Sequence, residues 1–380
     1  MTGRRPRLDP ATARIRNALR AHCRPQDTTP VIVAVSGGAD SLALAAAAAF
    51  LHRRGEGLFL ACTVDHGLQP ASAQVAAQVV ERVEALGLPV TSVTTEVDPH
   101  HSGGLEAAAR SGRYAALAGI AHSAPPAHGV IPQILTGHTR DDQAETVLLG
   151  LLRGSGARSL SGMAPRTRFD TANGLIEIVR PLLGVTRDET RQSCAAQDLE
   201  VWDDPMNDDT RFTRVRARRT LELLRDSLGQ DPRAGLARTA DLLREDADHL
   251  DAEAAAAWAD LLTSAQENAS VQGRAPQDGD VSLQGNVPVH DDTAAPASLA
   301  VRDLAAFGPA VTSRILRLWL VDRGVAAGDL TADHVRDVRE VAAASGAVKR
   351  EASVPGGGVV RRTGDRILHV GSGREDQGRP

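Results

Sequence analysis

A β-branched run, Val31-Ile32-Val33-Ala34-Val35, ends in Ser36-Gly37-Gly38-Ala39-Asp40-Ser41, and an apolar stretch from Leu42 to Leu51 follows. The unbroken apolar run reads as a buried parallel strand, and the stretch after the glycines as a helix. A strand that enters a helix through a glycine turn builds an anion site at that turn. Two adjacent glycines remove the Cβ atoms that would keep the backbone open, so the N–H groups around Gly37, Gly38 and Ala39 can point to one centre. Ser36 and Ser41 add hydroxyl donors. The positive end of the helix that follows faces the same place.

A Gly-Gly turn after a strand is by itself ordinarily a tight turn; the six-residue pattern between strand and helix is far more specific. The phosphate loop of kinases and GTPases needs Gly-Lys-Ser/Thr, and the chain has one lysine, Lys349. The dinucleotide fingerprint is absent from this turn. The turn resembles the pyrophosphate loop of the N-type ATP pyrophosphatases. That resemblance implies cleavage of ATP between its α and β phosphates and adenylation of a substrate oxygen.

Strands alternate with helices beyond the turn. Asp9-Pro10 starts a helix that runs to about Ala21. Strands are expected at Leu58–Val64, Val90–Val97 and Gln133–Thr136, and helices at Ser72–Leu86, Gly104–Ile120 and Asp141–Arg153. This alternation predicts an α/β fold with a parallel, doubly wound sheet. Ligands of such sheets bind beyond the carboxyl ends of the strands, where Ser36, His66 and His138 fall. The 380 residues exceed one typical domain. The reading divides them into a catalytic domain over 1–225, a helical region over 226–330 and a small α+β module over 331–380. Residues 266–297, rich in Gln, Asp, Gly and Pro, read as a flexible insertion. Helices are expected at Gly308–Arg323 and Thr331–Ala344, and a hairpin at Val354–Val370.

The net charge of −5 decides nothing about nucleic acid, because the placement of charge matters more than its sum. Cys23, Cys62 and Cys194 are scattered and form no Cys-x-x-Cys, which speaks against a zinc ribbon or a paired-thiol redox site and suits a reducing cytoplasm. Arg4, Arg5 and Arg7 precede no apolar core of a signal peptide, and the Ala45–Ala49 run is too short to span a membrane.

Three further segments carry chemistry. Gly137-His-Thr-Arg-Asp-Asp-Gln-Ala-Glu-Thr146 places Asp142 and Glu145 three apart on one helix face. Such a pair can hold Mg²⁺ or accept a proton; in isolation, acids at a helix start merely favour the dipole. In Gly104–Tyr114, Arg110 pairs with Glu106 at i,i+4, and Arg110 and Arg113 can offer two guanidinium forks to phosphate oxygens. The segment from Trp202 to Arg219 ends in five arginines within nine positions. Such a run solvates a helix face or binds a polyanion, and Trp202 and Phe212 beside it can pack or stack on a base.

Taken together, these segments resemble the tRNA(Ile)-lysidine synthetase family. The resemblance runs from the Ser36–Ser41 loop through Asp65-His66-Gly67, Gly104–Tyr114, Gly-His-x-x-Asp-Asp-Gln-x-Glu-Thr, Leu152-Arg-Gly-Ser-Gly156 and Arg180-Pro-Leu-Leu183 to Asp204-Pro-x-Asn-x-Asp, and more weakly into Leu330-Thr-x-x-His334 and Val354–Gly357. It implies that ATP adenylates the C2 oxygen of the wobble cytidine of tRNA(Ile) with a CAU anticodon, and that free L-lysine then displaces AMP. The product, lysidine, pairs with A and moves the codon from AUG to AUA. It implies ATP and Mg²⁺ as cofactors, the loop residues as the pyrophosphate grip, and Asp40, Asp142 and Glu145 as the groups for metal or amine. His66 and His138 would lie by the adenine or cytidine edge, Gly137 among the nucleotide-binding residues, Arg110 and Arg113 by triphosphate or tRNA, and Arg214 along the site. It allows a homodimer. The family's usual Arg-Asn-x-x-Arg reads Arg214-Val215 here, with Arg218 at the later position. The rivals are a tRNA thiolase of the same superfamily, an ammonia-using ligase such as NAD or GMP synthetase, and a module that only binds nucleotide.

Overall fold

The computed structural model describes residues 8–22, 29–67, 71–95, 104–123, 130–154, 156–272, 296–344 and 351–371. These fall into two compact units, one ending at Arg244 and the other starting at Glu245.

In the first unit, α1 (Pro10–His22) begins where Asp9 accepts a hydrogen bond from the Thr12 amide at 2.9 Å. Then come β1 (Val31–Ala34), α2 (Ala39–Arg53), β2 (Phe59–Asp65), α3 (Ser72–Ala85), β3 (Val90–Thr94), α4 (Gly104–Ser123), β4 (Gln133–Leu135) and α5 (Arg140–Leu152). A short α6 (Ala157–Leu160), β5 (Arg166–Thr171), β6 (Gly174–Val179), α7 (Arg187–Ala195), a 3-10 turn at Pro205–Asp208 and α8 (Thr213–Leu228) follow, and α9 (Arg233–Gln272) runs across the division. The strands form one sheet in the order β3-β2-β1-β4-β6-β5. The alternation of side chains along β1 explains its position. Val31, Val33 and Val35 join a core with α1, α2, α3 and α7, whereas Ile32 joins one with α4. A strand buried on both faces must be apolar throughout, as this one is.

The sheet is doubly wound, with one departure from the expectation: β5 runs antiparallel to β6 at the edge. Its residues Arg168, Phe169 and Asp170 are exposed, so no buried apolar run announced it. The strand order reverses between β1 and β4, the switch point at which such sheets bind ligands.

The second unit packs the far part of α9 with β7 (Ser298–Ala300), α10 (Val301–Leu304), α11 (Pro309–Asp322), α12 (Ala332–Ala343), β8 (Glu351–Val354), β9 (Gly358–Thr363) and β10 (Arg366–Val370). The strands make an antiparallel sheet in the order β7-β10-β9-β8, with the anticipated hairpin at its centre. Trp319 is fully buried and its indole N–H donates to the Pro296 carbonyl at 2.8 Å; that of Trp258 donates to Asp322 at 2.7 Å. Because Trp258 and Leu250 on α9 share this core, the structure divides within α9 instead of at 225 and 330. The helix also continues through Gln272, into the stretch read as an insertion; residues 273–295 lie outside the described ones. Among the described residues no helix is long and apolar enough to cross a membrane.

Candidate active site

The switch point opens into a cleft of about 880 Å³ in the first unit, lined by Ser36, Gly38, Ala39, Asp40, Ser41, His66, Arg110, Arg113, Gly137, His138, Asp142 and Arg214 among others. Every anticipated site residue except Gly37 and Glu145 therefore reaches one cavity. The turn after β1 is closed by its own side chains. Ser41 accepts from the Ser36 amide at 3.1 Å and donates to the Gly38 carbonyl at 2.9 Å. Gly37 lies beneath the turn at φ +87°, and a Cβ there would come within 2.7 Å of Val79. Its carbonyl accepts from the Trp202 amide at 3.1 Å. Gly137, after β4, is pressed against the first turn of α2: a Cβ would sit 3.0 Å from the backbone of Asp40 and Ser41. Glycine at that point lets the two strand ends close on each other.

The acids collect around one guanidinium that the sequence reading did not single out. Arg187, first residue of α7, donates to Asp142 Oδ1 at 2.9 Å and lies 3.4 Å from Glu145 Oε1 and 3.6 Å from Asp40 Oδ2. Its amide donates to Asp141 at 2.9 Å. A capping box between Thr186 and Glu189 sets the start of α7, and that Thr-x-x-Glu pattern was the available sequence signal. Asp142 also works as a cap, accepting from the Thr139 amide at 2.8 Å and hydroxyl at 2.9 Å. The bland and the chemical readings of Asp142 thus both hold, one oxygen each. Glu145 Oε1 takes Arg218 Nε at 3.0 Å, while its buried Oε2 has no hydrogen-bond partner among the described residues.

Electrostatics separates the three acids. Burial, then the charge of Asp142, pushes the Asp40 carboxyl up to about 6, against the pull of Thr190 and Arg187. Burial and Asp142 likewise raise Glu145. Burial would raise Asp142 too, but Arg187, His138 and the Thr139 bonds outweigh it and hold it low. Arg187 stays protonated because its carboxylates overcome the opposing effect of burial. His138 is driven down to about 4 by burial, with Arg180, Arg110 and Arg214 adding to that against Asp142, so it is neutral at pH 7 and acts through hydrogen bonds. Its Nδ1 pairs with the Thr136 hydroxyl at 2.8 Å. His66 is lowered by burial and by Arg113, whose Nε donates to its Nε2 at 3.2 Å. Arg110 stacks over Tyr114, 5.5 Å from the ring centre; the side chain of Glu106, its expected partner, lies outside the described residues.

The expectation for the metal trio changes in form. Asp40, Asp142 and Glu145 do come together, but around Arg187, and among the described residues no group of three or more His, Cys, Asp or Glu side chains is set to hold a metal by itself. Mg²⁺ ordinarily takes one or two carboxylates with phosphate oxygens and water. Asp40 and Asp142, which line the cleft beside the turn, suit that arrangement. Val215, where the family commonly has Asn, is buried at the cleft wall and offers no hydrogen bond. Cys62 and Cys194 are buried, and burial pushes both thiols up to about 11, with Asp40 adding to the rise at Cys194. Thiols so held make poor nucleophiles; Cys23 lies outside the described residues.

A doubly wound sheet carrying this turn at its switch point defines an ATP-binding domain of the pyrophosphate-loop class. The model of the PP-loop domain matches residues 11–224, and that of the TilS substrate binding domain matches residues 299–368. The tRNA(Ile)-lysidine synthase of Streptomyces coelicolor is 42% identical over 89% of this chain and 84% of its own length. Those of Leifsonia xyli and Salinispora tropica are 44% and 40% identical, covering 78% and 97% of this chain and 78% and 99% of theirs. The chain belongs to the tRNA(Ile)-lysidine synthase family. A solved structure of the U34-tRNA thiolase NcsA from Methanococcus maripaludis, with its [4Fe-4S] cluster, aligns with 62% of this chain and 78% of its own at TM-score 0.46 and 16% identity.

Proposed function

We propose that the chain ligates free L-lysine to C2 of the wobble cytidine of tRNA(Ile) with a CAU anticodon, at the expense of ATP. The observation that carries this reading is the meeting of two kinds of group at one switch point. An amide-lined turn suited to pyrophosphate faces acids suited to an amine, with Gly137 packed on Asp40 between them.

In the first half-reaction the cytidine C2 oxygen attacks the α phosphorus of ATP, and pyrophosphate leaves. The turn at Ser36–Ser41 and the start of α2 offer donors to the growing negative charge on the leaving group. Arg110, Arg113 and Arg214 line the same cleft and suit phosphate oxygens. Bound Mg²⁺, on Asp40 and Asp142, would add Lewis-acid charge against the phosphates. In the second half the lysine ε-amine attacks C2 and AMP departs. An ammonium must shed a proton to become a nucleophile. Asp40, which lines the cleft and whose carboxyl is raised to about 6, is suited to accept it, with Glu145 behind it holding Arg187 and Arg218. Neutral His66 and His138 are suited to contact a base edge. The second unit would meet tRNA, and the reaction needs no thiol from the protein.

The test is incubation with ATP, Mg²⁺, tRNA and radiolabelled lysine. Lysine-dependent label in the tRNA, with pyrophosphate released, supports the reading. ATP bound but not turned over, or label entering only from a sulfur donor, rejects it.

A further inference from the structure

Arg187 stands where the reading above puts incoming cations. Its guanidinium reaches Asp142, Glu145 and Asp40 at 2.9, 3.4 and 3.6 Å, and its side chain is only 18% exposed. Three carboxylates therefore face two guanidiniums, those of Arg187 and Arg218. The surplus is one negative charge. It shows in the longest ion pairing, that of Asp40, and in the buried Glu145 Oε2, which no donor meets among the described residues. Without Arg187 the surplus would be two, in a pocket where charges are poorly screened, and that charge would draw a free divalent ion toward the oxygens Arg187 now holds.

We propose that Arg187 is the resident counter-ion of this acidic cluster: a positioning residue that aims Asp142 and Glu145 and keeps a free divalent ion from settling among them until nucleotide phosphates bring the metal in. This rests on the reading of the cleft as the ATP and lysine site. It makes metal entry conditional on ATP and leaves one net negative charge for the amine. The position is well braced for such a role. Arg187 begins α7 behind the Thr186 capping box, and its amide is held by Asp141, which in turn pairs with Arg233 at 3.3 Å. A guanidinium also suits the task better than an ammonium, because its planar fork can serve several carboxylates at once.

The test is direct binding of Mn²⁺ to the full chain, followed by the loss of the free-ion EPR signal, with and without a non-cleavable ATP analogue. Wild type should bind Mn²⁺ weakly alone and much more tightly with the analogue. Arg187→Gln should bind Mn²⁺ without nucleotide roughly tenfold more tightly than wild type, or better, and Arg187→Lys should return to near the wild-type value. In turnover, Arg187→Gln should lower kcat for lysine transfer more than it alters the KM for ATP. The proposal falls if wild type without nucleotide already binds Mn²⁺ as tightly as with it, a result independent of how any variant folds. It also falls if folded Arg187→Gln matches wild type. Asp142→Asn with the analogue present tests the underlying site reading separately: undiminished Mn²⁺ there would remove Asp142 as a metal ligand.

Discussion

Replacing Asp40 by Asn should make the chain harder to unfold while abolishing its reaction. Burial and the neighbouring Asp142 push the Asp40 carboxyl from 3.8 to about 6 in the folded chain. A pKa unit corresponds to about 1.4 kcal/mol, so the ionised form costs folding about 3 kcal/mol, an upper figure for a side chain that keeps 24% of its surface in water. The folded state binds the extra proton as the pH falls through about 6. The penalty is therefore full above that pH, shrinks below it, and is gone near the unfolded value of about 3.8. Asparagine carries no charge and keeps an oxygen to accept the Thr190 hydroxyl. It gives up only the 3.6 Å pairing with Arg187. At pH 8 the variant should be more stable by about 1–3 kcal/mol, which for a unit of this size raises the melting temperature by roughly 2–10 °C. Scanning calorimetry of both proteins in EDTA, at pH 8, 6.5 and 4, reads the difference directly. The reasoning is refuted if Asp40→Asn melts below wild type at pH 8, or if the gap is the same at pH 8 and pH 4.

Asp142→Asn retains an oxygen for Thr139, so the α5 cap stands, but it loses the 2.9 Å ion pair with Arg187 and should lower the melting temperature, while lysine incorporation falls by about 10²-fold or more; near wild-type rates would take the carboxylate out of the mechanism. Gly137→Ala places a methyl 3.0 Å from backbone on the first turn of α2, which cannot yield as a side chain would. ATP–pyrophosphate exchange should fall by about 10²-fold as the turn is displaced, and an unchanged rate would mean that the close approach does not set the turn. Arg216 and Arg219 donate to carbonyls at 2.8 and 3.1 Å, bonds that bring no opposing charge, whereas Arg211 is paired with Asp209 at 2.7 Å. Arg216→Ala with Arg219→Ala should weaken tRNA binding and lower the slope of its salt dependence by roughly two, and Arg211→Ala should barely change it; equal slopes in filter binding would return the run to a solvated helix face.

The parts of the fold that were legible are those where burial imposes a period. β1, β2 and the helices between them carry apolar runs or faces long enough to name their own geometry. The β5–β6 hairpin carried a different mark, a two-residue turn at Ala172-Asn173 followed by Gly174, which opens β6 at φ +120°. It went unread because the outer strand is exposed and charged. The division at Arg244 was hidden for the opposite reason. One helix, α9, runs through it, so local pattern stays continuous while the buried partners change from those of the first unit to Trp319 and Leu316 of the second.

The site divides along the same line. A phosphate turn and a pair of acids at a helix start announce themselves, because each depends on residues adjacent in sequence. The charge that balances them does not. Arg187 lies 45 positions after Asp142, and nothing in chain order says that the start of α7 will face the start of α5. That meeting is made by β4 and β6 lying side by side in the sheet, which brings the Gly137–Thr139 segment against the turn after Val179. The anions of such a site can thus be read from motifs, but its net charge comes only from the topology, and it is the net charge that decides which cation enters and when.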